Sequence, residues 1–298
     1  MPSIGFVDVR FGILLPQSLF RGNDGSKAIR YADAETGLAA MDLGRFFVNL
    51  GTAFAASTPW AAMGWGLAFF AGIYVALCGG NWLLTRHLLP VLRIGHRIDP
   101  KPLRSGQIRY ELSLSALSIL IFGVGSILPW AFLHWGWARL AQDPGPLRIL
   151  AEMAVLLVWN DIHFYANHRL LHTKPLRRFH AQHHRSLVTT PFSTYSFHPL
   201  EAILLGNVIL LPMLLHDFSF AALLSLPVMS LLLNNLGHSN YDFAPAAGHN
   251  HWLSASRRHH LHHIRYHGNY GFLFNFMDGW FRTRLPDGPQ AVERAADA

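Results

Sequence analysis

Two long runs without a charged side chain decide most of what this chain can become. Residues 61–84 (AAMGWGLAFFAGIYVALCGGNWLL) and residues 112–138 contain no Asp, Glu, Lys or Arg. Each exceeds the roughly 20 apolar residues needed to cross the hydrocarbon core of a bilayer. In lipid, a chain satisfies its backbone polar groups only as helices or as a closed barrel, and runs of this length read as helices. The chain is 51% hydrophobic and only 14% charged, where soluble domains carry about 25% charged residues. The expected fold is all-α: a polytopic membrane bundle of about four spanning helices or helical hairpins, with a histidine-rich helical cap.

The remaining apolar segments complete that bundle. A third stretch, about 147–168, carries Glu152 and Asp161. From Pro199 to His238 a long apolar segment is interrupted by Pro212, His216–Asp217 and Pro227. Residues 202–216 are too few to cross comfortably, whereas 218–236 suffice, so the segment reads as a tight helical hairpin turning near His216–Asp217. Residues 46–57 are apolar but too short to span, and read as an interfacial lead-in. The chain thus divides into 1–60, without an assigned role; 61–146, the first two spans; 147–285, which holds most histidines; and a tail, 286–298. No basic start and apolar run marks a cleaved signal peptide, so the first span is expected to direct insertion. Cys78 is the one cysteine, which excludes an intramolecular disulfide, a cysteine-held iron–sulfur cluster and a thiolate zinc site.

The net charge of +7 does not indicate nucleic acid, because the cations are spread along loops between apolar spans. Arg86, Arg93, Arg97, Lys101, Arg104 and Arg109 lie between the first two spans, but only Arg139 and Arg148 between the second and third. The positive-inside rule puts the 86–109 loop in the cytoplasm. Arg169, Lys174, Arg177, Arg178 and Arg185 fall on that same side, and the histidine cluster with them. Arg45 runs against this assignment.

Sixteen of the nineteen histidines lie between His163 and His267. Asp161, Tyr165, His168 and His172 are spaced 4, 3 and 4 and share one helix face. Polar stripes on membrane helices are expensive and face a protein interior or cavity. Then come His180-x-x-His183-His184 and, nearly 80 residues later, His259-x-x-His262-His263. Clustered neutral imidazoles are the usual holders of borderline transition metals, and these are too many for one four-coordinate site. A lone His-x-x-x-His is a weak signal that an ordinary helix end also produces; two His-x-x-His-His boxes after apolar spans favour metal. His238, closing the hairpin on the side of the boxes, is a further candidate ligand. His198 reads as structural or as a donor to a ligand. His260 is left unassigned; His249, His251 and His267 read as solvated loop before lining of the site mouth, and His87, His96, His134 and His216 as ordinary interface residues. No His-Glu-x-x-His supports a zinc peptidase, and the Glu-x-x-His pairs of carboxylate-bridged di-iron bundles are absent. Imidazole suits Fe, Zn, Cu and Ni alike.

These residues resemble the integral-membrane fatty acid hydroxylase/sterol desaturase superfamily. Asp161-x-x-x-Tyr165-x-x-His168-Arg169-x-x-His172 looks like its first histidine box. Phe179-His180-Ala181-Gln182-His183-His184-Arg185-Ser186 looks like its second, and Phe197-His198-Pro199-Leu200-Glu201 like the segment after it. His238-Ser239-Asn240 resembles its isolated histidine, and Arg258-His259-x-x-His262-His263 with Asn269-Tyr270-Gly271 and Asp278 its last box and tail. Met277 and Gly279 stand where the family often has Trp and Arg, a departure that bears on the substrate mouth. The resemblance covers roughly residues 150–285. It implies that 147–285 is a hydroxylase-like catalytic domain, with two iron ions held by His168, His172, His180, His183, His184, His238, His259, His262 and His263. It further implies that Asp161 orients a ligand imidazole from behind, as metal-bound histidines require. The implied activity is O2-dependent attack on a lipid C–H bond, giving an alcohol in a hydroxylase (a monooxygenase) or an alkene in a desaturase.

The lipid is open between fatty acyl, sterol, carotenoid and aminolipid. Electrons are expected from a separate reductase, ferredoxin or cytochrome, since no dinucleotide or haem motif appears; Arg177, Arg178, Arg257 and Arg258 are candidate docking residues, or contacts to lipid headgroups. A histidine-rich metal transporter is the rival of a different class, but transporters place ionisable residues near the midplane of spans. A bis-histidine haem protein leaves the paired boxes unexplained.

Overall fold

A computed structural model describes residues 6–7, 15–16, 43–248 and 250–286. His249 and most of the segments 1–45 and 286–298 lie outside the described residues. The chain forms two units, 1–43 and 44–298. In the first, Phe6–Val7 pairs antiparallel with Leu15–Pro16.

The second unit is helical. Four of its helices are long and apolar enough to cross a bilayer: Pro59–Val91, Gln107–His134, Pro146–Leu171 and Phe220–Gly237. Their starts follow from local chemistry. The Thr58 hydroxyl accepts from the Ala61 N–H at 3.2 Å with Pro59 next in line. Pro146 opens the third span, and the Ser219 hydroxyl accepts from the Ala222 N–H at 3.3 Å to open the fourth. Side-chain caps and a leading proline both satisfy or remove orphan donors at a helix start. The first span runs past its uncharged stretch through a π-helical turn at Leu84–Leu88. Arg86, within that turn, lies over the Trp82 ring at 4.7 Å.

The first two spans cross where both are small. A Cβ on Gly123 would stand 2.8 Å from the Leu67 Cα, so glycine permits the backbone contact, a common device of membrane helix pairs. Tyr74, Cys78, Ile119, Tyr195, Phe197 and Leu231 form one buried core. Large apolar side chains such as Val75, Leu120, Val155 and Leu232 stay exposed on the outside of the spans, as helices that are apolar all round require of a lipid environment.

The hairpin turns where the sequence places it. Pro199–Leu215 is a short, broken apolar helix, and the chain returns along Phe220–Gly237. Its tip meets the start of the third span: Arg148 Nη2 donates to the Asp217 carbonyl at 2.6 Å, and Glu152 Oε2 accepts from the Ser219 N–H at 2.8 Å. Pro199 and His238 therefore end near the last turn of the third span, at the opposite end of the bundle. There, His96–Arg97 pairs antiparallel with Tyr241–Asp242, His96 opposite Asp242. The helix Ala255–Arg265 completes this end.

Candidate metal centre

The third span delivers His168 in its last turn and His172 at its end. A single helical turn, Arg177–His180, and a 3₁₀ turn, His183–Arg185, carry the second box. His238 ends the fourth span, and Ala255–Arg265 carries His259, His262 and His263. These nine imidazoles fall into two groups. His168, His172, His180, His184 and His262 have a ring nitrogen each within 4.8 Å of one another; so do His183, His238, His259 and His263. All but His172 are buried.

The two boxes interleave. His180 and His184, one helical turn apart, join the first group while His183 joins the second. His259 and His263 join the second while His262 joins the first. Each box gives two rings to one group and one to the other.

Four of the rings are fixed in one tautomer by oxygen acceptors. His168 Nδ1 donates to the Tyr270 carbonyl at 2.9 Å, His262 Nδ1 to the Gly268 carbonyl at 2.7 Å and His238 Nδ1 to the Asn234 carbonyl at 2.8 Å. His180 Nδ1 donates to Glu201 Oε1 at 2.7 Å. A ring that donates from Nδ1 presents a bare lone pair at Nε2, the arrangement a metal ligand needs. The Nε2 atoms indeed face one another: His180 to His184 at 3.0 Å, His184 to His262 at 3.1 Å, His183 to His238 at 3.0 Å, and His259 to His238 and to His263 at 3.1 Å each. His168 Nε2 and both nitrogens of His172 are buried without a partner. Two nitrogens about 2.1 Å from a shared ion sit about 3.0 Å apart at a right angle and about 3.4 Å apart at the tetrahedral angle. The observed spacings of 3.0–3.1 Å fall in the range of nitrogens that share one ion.

Burial and neighbouring imidazoles hold these rings neutral. Burial lowers His238 from the usual range to about 4 and, with the adjoining His168, lowers His172 to about 2. Burial, then the crowd of other rings, lowers His180, His183, His184, His259, His262 and His263 well below the usual range. Neutral imidazoles are ready ligands.

Asp161 takes a different part from the one expected. Its Oδ1 accepts the backbone N–H groups of Leu273 and Phe274 at 2.9 and 3.2 Å. It reaches the cage indirectly, by holding the loop whose Tyr270 carbonyl orients His168. Tyr165 acts on the same tail, its hydroxyl 3.1 Å from Thr283 Oγ1. Asp278 fastens that loop from the other side, accepting from the Tyr270 and Gly271 N–H groups at 2.9 and 2.6 Å. The polar stripe of the third span is therefore two devices: Asp161 and Tyr165 grip the tail, and His168 and His172 face the cage. Among the described residues, Glu201 is the carboxylate that meets a cage imidazole. The signal for it was a lone acid opening an otherwise apolar hairpin.

Other histidines serve elsewhere. His198 caps the hairpin, its Nδ1 accepting from the Leu200 N–H at 3.1 Å. His251 does the same for Leu253 at 3.2 Å. His260 points away from the cage toward Asp99, 4.0 Å off. Arg257 and Arg258 are not free docking cations: Arg257 donates to Asp242, Ser254 and the Ala247 carbonyl, and Arg258 to the His251 and Leu273 carbonyls. Arg177 and Arg178 are exposed.

An apolar cavity of about 560 Å³ lies among the spans, lined by Trp65, Phe122, Leu223 and others. Phe164, Phe197, Leu205 and Asn234 line it and also the small space against His168, His180 and His183. Phe164, Phe197, Leu205 and Asn234 thus form a shared wall between the apolar cavity and the space at the imidazoles.

Fold and site define a class: an integral-membrane helical protein whose histidine-lined centre is suited to metal ions and adjoins an apolar cavity. The fatty acid hydroxylase family profile matches residues 153–283. A cholesterol 25-hydroxylase-like protein of Danio rerio is 28% identical over 226 residues, covering 72% of this chain and 88% of the relative. A delta(7)-sterol 5(6)-desaturase of Candida glabrata is 27% identical over 210 residues, covering 66% of this chain and 55% of the relative. Lathosterol oxidase of Homo sapiens is 24% identical over 182 residues, covering 58% of this chain and 59% of the relative. The chain therefore spans somewhat over half the length of the last two. No solved structure matches it. Residues 153–283 are thus similar to the fatty acid hydroxylase family, and the relatives named are sterol hydroxylases, desaturases and oxidases, all oxidoreductases. The chain's spans, clusters and relatives fit a membrane lipid oxygenase.

Proposed function

We propose that the chain is a non-haem di-iron oxygenase that hydroxylates a C–H bond of a lipid, using O2 and electrons from a separate donor. The observation that carries this reading is the division of nine imidazoles into groups of five and four, with bare nitrogens turned inward beside an apolar cavity. His168, His172, His180, His184 and His262 would hold one ion, and His183, His238, His259 and His263 the other. When bound, the irons supply with O2 the oxidising power that an unactivated C–H bond demands.

The chain's own residues do the rest. Glu201 and the carbonyls of Asn234, Gly268 and Tyr270 keep four rings in the ligating tautomer. Phe164, Phe197 and Leu205 bring an apolar chain to the cage and exclude water from it, which limits side reactions. The exposed Arg177 and Arg178, on the face read as cytoplasmic, suit an acidic electron donor such as a reductase, ferredoxin or cytochrome. Desaturation is the second reading, favoured by the relatives named as sterol desaturases.

The test is mass spectrometry of total lipids from a host that expresses the chain, against the same host expressing His262→Ala. A histidine-dependent species one oxygen atom heavier is the expected result. A species two hydrogens lighter would establish the desaturase instead. No difference, in a host that supplies iron, oxygen and a broad lipid pool, would overturn both.

A further inference from the structure

One polar side chain on the wall of the apolar cavity has no use in the fold. Asn160 lies in the third span, is 3% exposed, and lines the cavity between the helices. Its amide makes no hydrogen bond to any described residue, although it offers donors and an acceptor. An unpaired amide inside a membrane protein costs on the order of several kcal/mol unless something in the cavity pairs with it. The amide of Asn207 also borders the cavity, its Oδ1 2.9 Å from His163 Nε2. Both amides line a chamber whose lining includes no Asp, Glu, Lys or Arg.

The chemistry of the chamber selects its ligand. An uncharged lining offers no counter-ion for a phosphate, carboxylate or ammonium headgroup, which would be buried unpaired at high cost. A primary amide both donates and accepts, which complements a hydroxyl doing the same. The volume lies within the range of about 300–1,000 Å³ typical of small-molecule sites. Position adds a second constraint. Asn160, Phe164 and His168 are spaced by four along one helix, so Asn160 lies two turns, about 12 Å, from the cage histidine, with Phe164 midway.

We propose that Asn160 is the anchor for the hydroxyl of a neutral lipid alcohol, whose apolar body runs past Phe164 so that a carbon roughly 10 Å from the hydroxyl meets the metal centre. The proposal rests on reading the cavity as the lipid site of the oxygenase. It narrows the substrate to a largely apolar molecule with one uncharged hydrogen-bonding end, oxidised remotely from that end. A charged headgroup is disfavoured at Asn160, since the lining offers it no counter-ion.

Equilibrium binding to the purified full chain in detergent tests it, with two radiolabelled probe pairs: cholesterol against cholestane, and 1-hexadecanol against hexadecane. The expected result is that at least one alcohol binds about ten-fold tighter than its hydrocarbon, the effect of one buried hydrogen bond that is otherwise left unmade. Asn160→Leu should abolish that preference while leaving hydrocarbon binding and iron content unchanged. Equal affinity within both pairs for the wild type overturns the anchor, whether or not the variant folds. So does a preference that survives in Asn160→Leu, or failure of both alcohols to bind. Loss of the histidine-dependent mass shift in host lipids is a separate result, which would remove the oxygenase reading and leave the binding data standing.

Discussion

His183 and His184 are adjacent in sequence and serve different groups. In the 3₁₀ turn that carries them, neighbouring side chains diverge, while His184 comes back over His180, their Nε2 atoms 3.0 Å apart. Single substitutions should therefore separate the two ions. Measured by elemental analysis, His183→Ala should deplete the four-histidine group and His184→Ala the five-histidine group, each leaving about one metal ion per chain. Loss of both ions from either variant would show instead that the groups load as one. Glu201 offers a finer test, because it touches a ligand and not a metal position. Glu201→Gln keeps the shape and weakens the acceptor for His180 Nδ1, and should lower metal affinity about 10- to 100-fold. Retention of metal against a chelator would read this out, and unchanged retention would sink the assignment of Glu201 as the orienting carboxylate.

At the scale of elements, the loop from Gly268 to Phe274 matters as much as the helices. It supplies the carbonyls that fix His168 and His262, and is itself fastened by Asp161 and Asp278. Asp161→Ala removes an acceptor shared by two backbone donors; hydrogen bonds to charged groups are worth about 1.5–3 kcal/mol. The variant should lower the thermal midpoint and weaken metal retention together. A lowered midpoint with normal retention would mean that the loop does not govern His168. This tie also marks where sequence reading runs short. Apolar run lengths gave the spans and the hairpin turn, because bilayer thickness and backbone satisfaction leave few alternatives. Imidazole spacing gave the candidate ligands, because four residues make one helical turn. The grip of Asp161 on Leu273 and Phe274 joins positions more than a hundred residues apart, and no local period encodes such a contact. The stripe of Asp161 showed only that it faces the interior, the resemblance made it an imidazole partner, and Glu201, hidden in an apolar hairpin, went without a role.

At the scale of the whole molecule, two properties follow from where the cage sits. The first is orientation. Arg178 is exposed beside the cage, and Cys78 is the chain's one cysteine, fully buried against Asn235. In a Cys78→Ser background, Arg178→Cys should react with a membrane-impermeant maleimide only after the cell membrane is opened; reaction in intact cells would reverse the assigned sidedness. The second is acid lability. Eight cage imidazoles outside the spans have folded-state pKa values below the ordinary value near 6.5, His238 at about 4, His172 at about 2 and the other six well below the ordinary range. Above pH 6.5 both folded and unfolded chains leave these rings neutral, and the stability they permit is fully present. Below it, the unfolded chain takes up protons that the folded cage refuses, so stability falls as the pH falls. The loss continues until the pH reaches the folded value, near 4 for His238 and near 2 for His172. Metal deepens the dependence, since ions and protons compete for the same nitrogens. The detergent-solubilised, metal-free protein should hold a nearly constant thermal midpoint from pH 8 to 7 and lose it steeply from pH 6.5 toward 5. Iron should raise the whole curve and move its fall to lower pH. A midpoint that stays level down to pH 5 without metal would mean that the cage admits protons, and that these rings are not the dry, neutral ligand set on which the oxygenase reading depends.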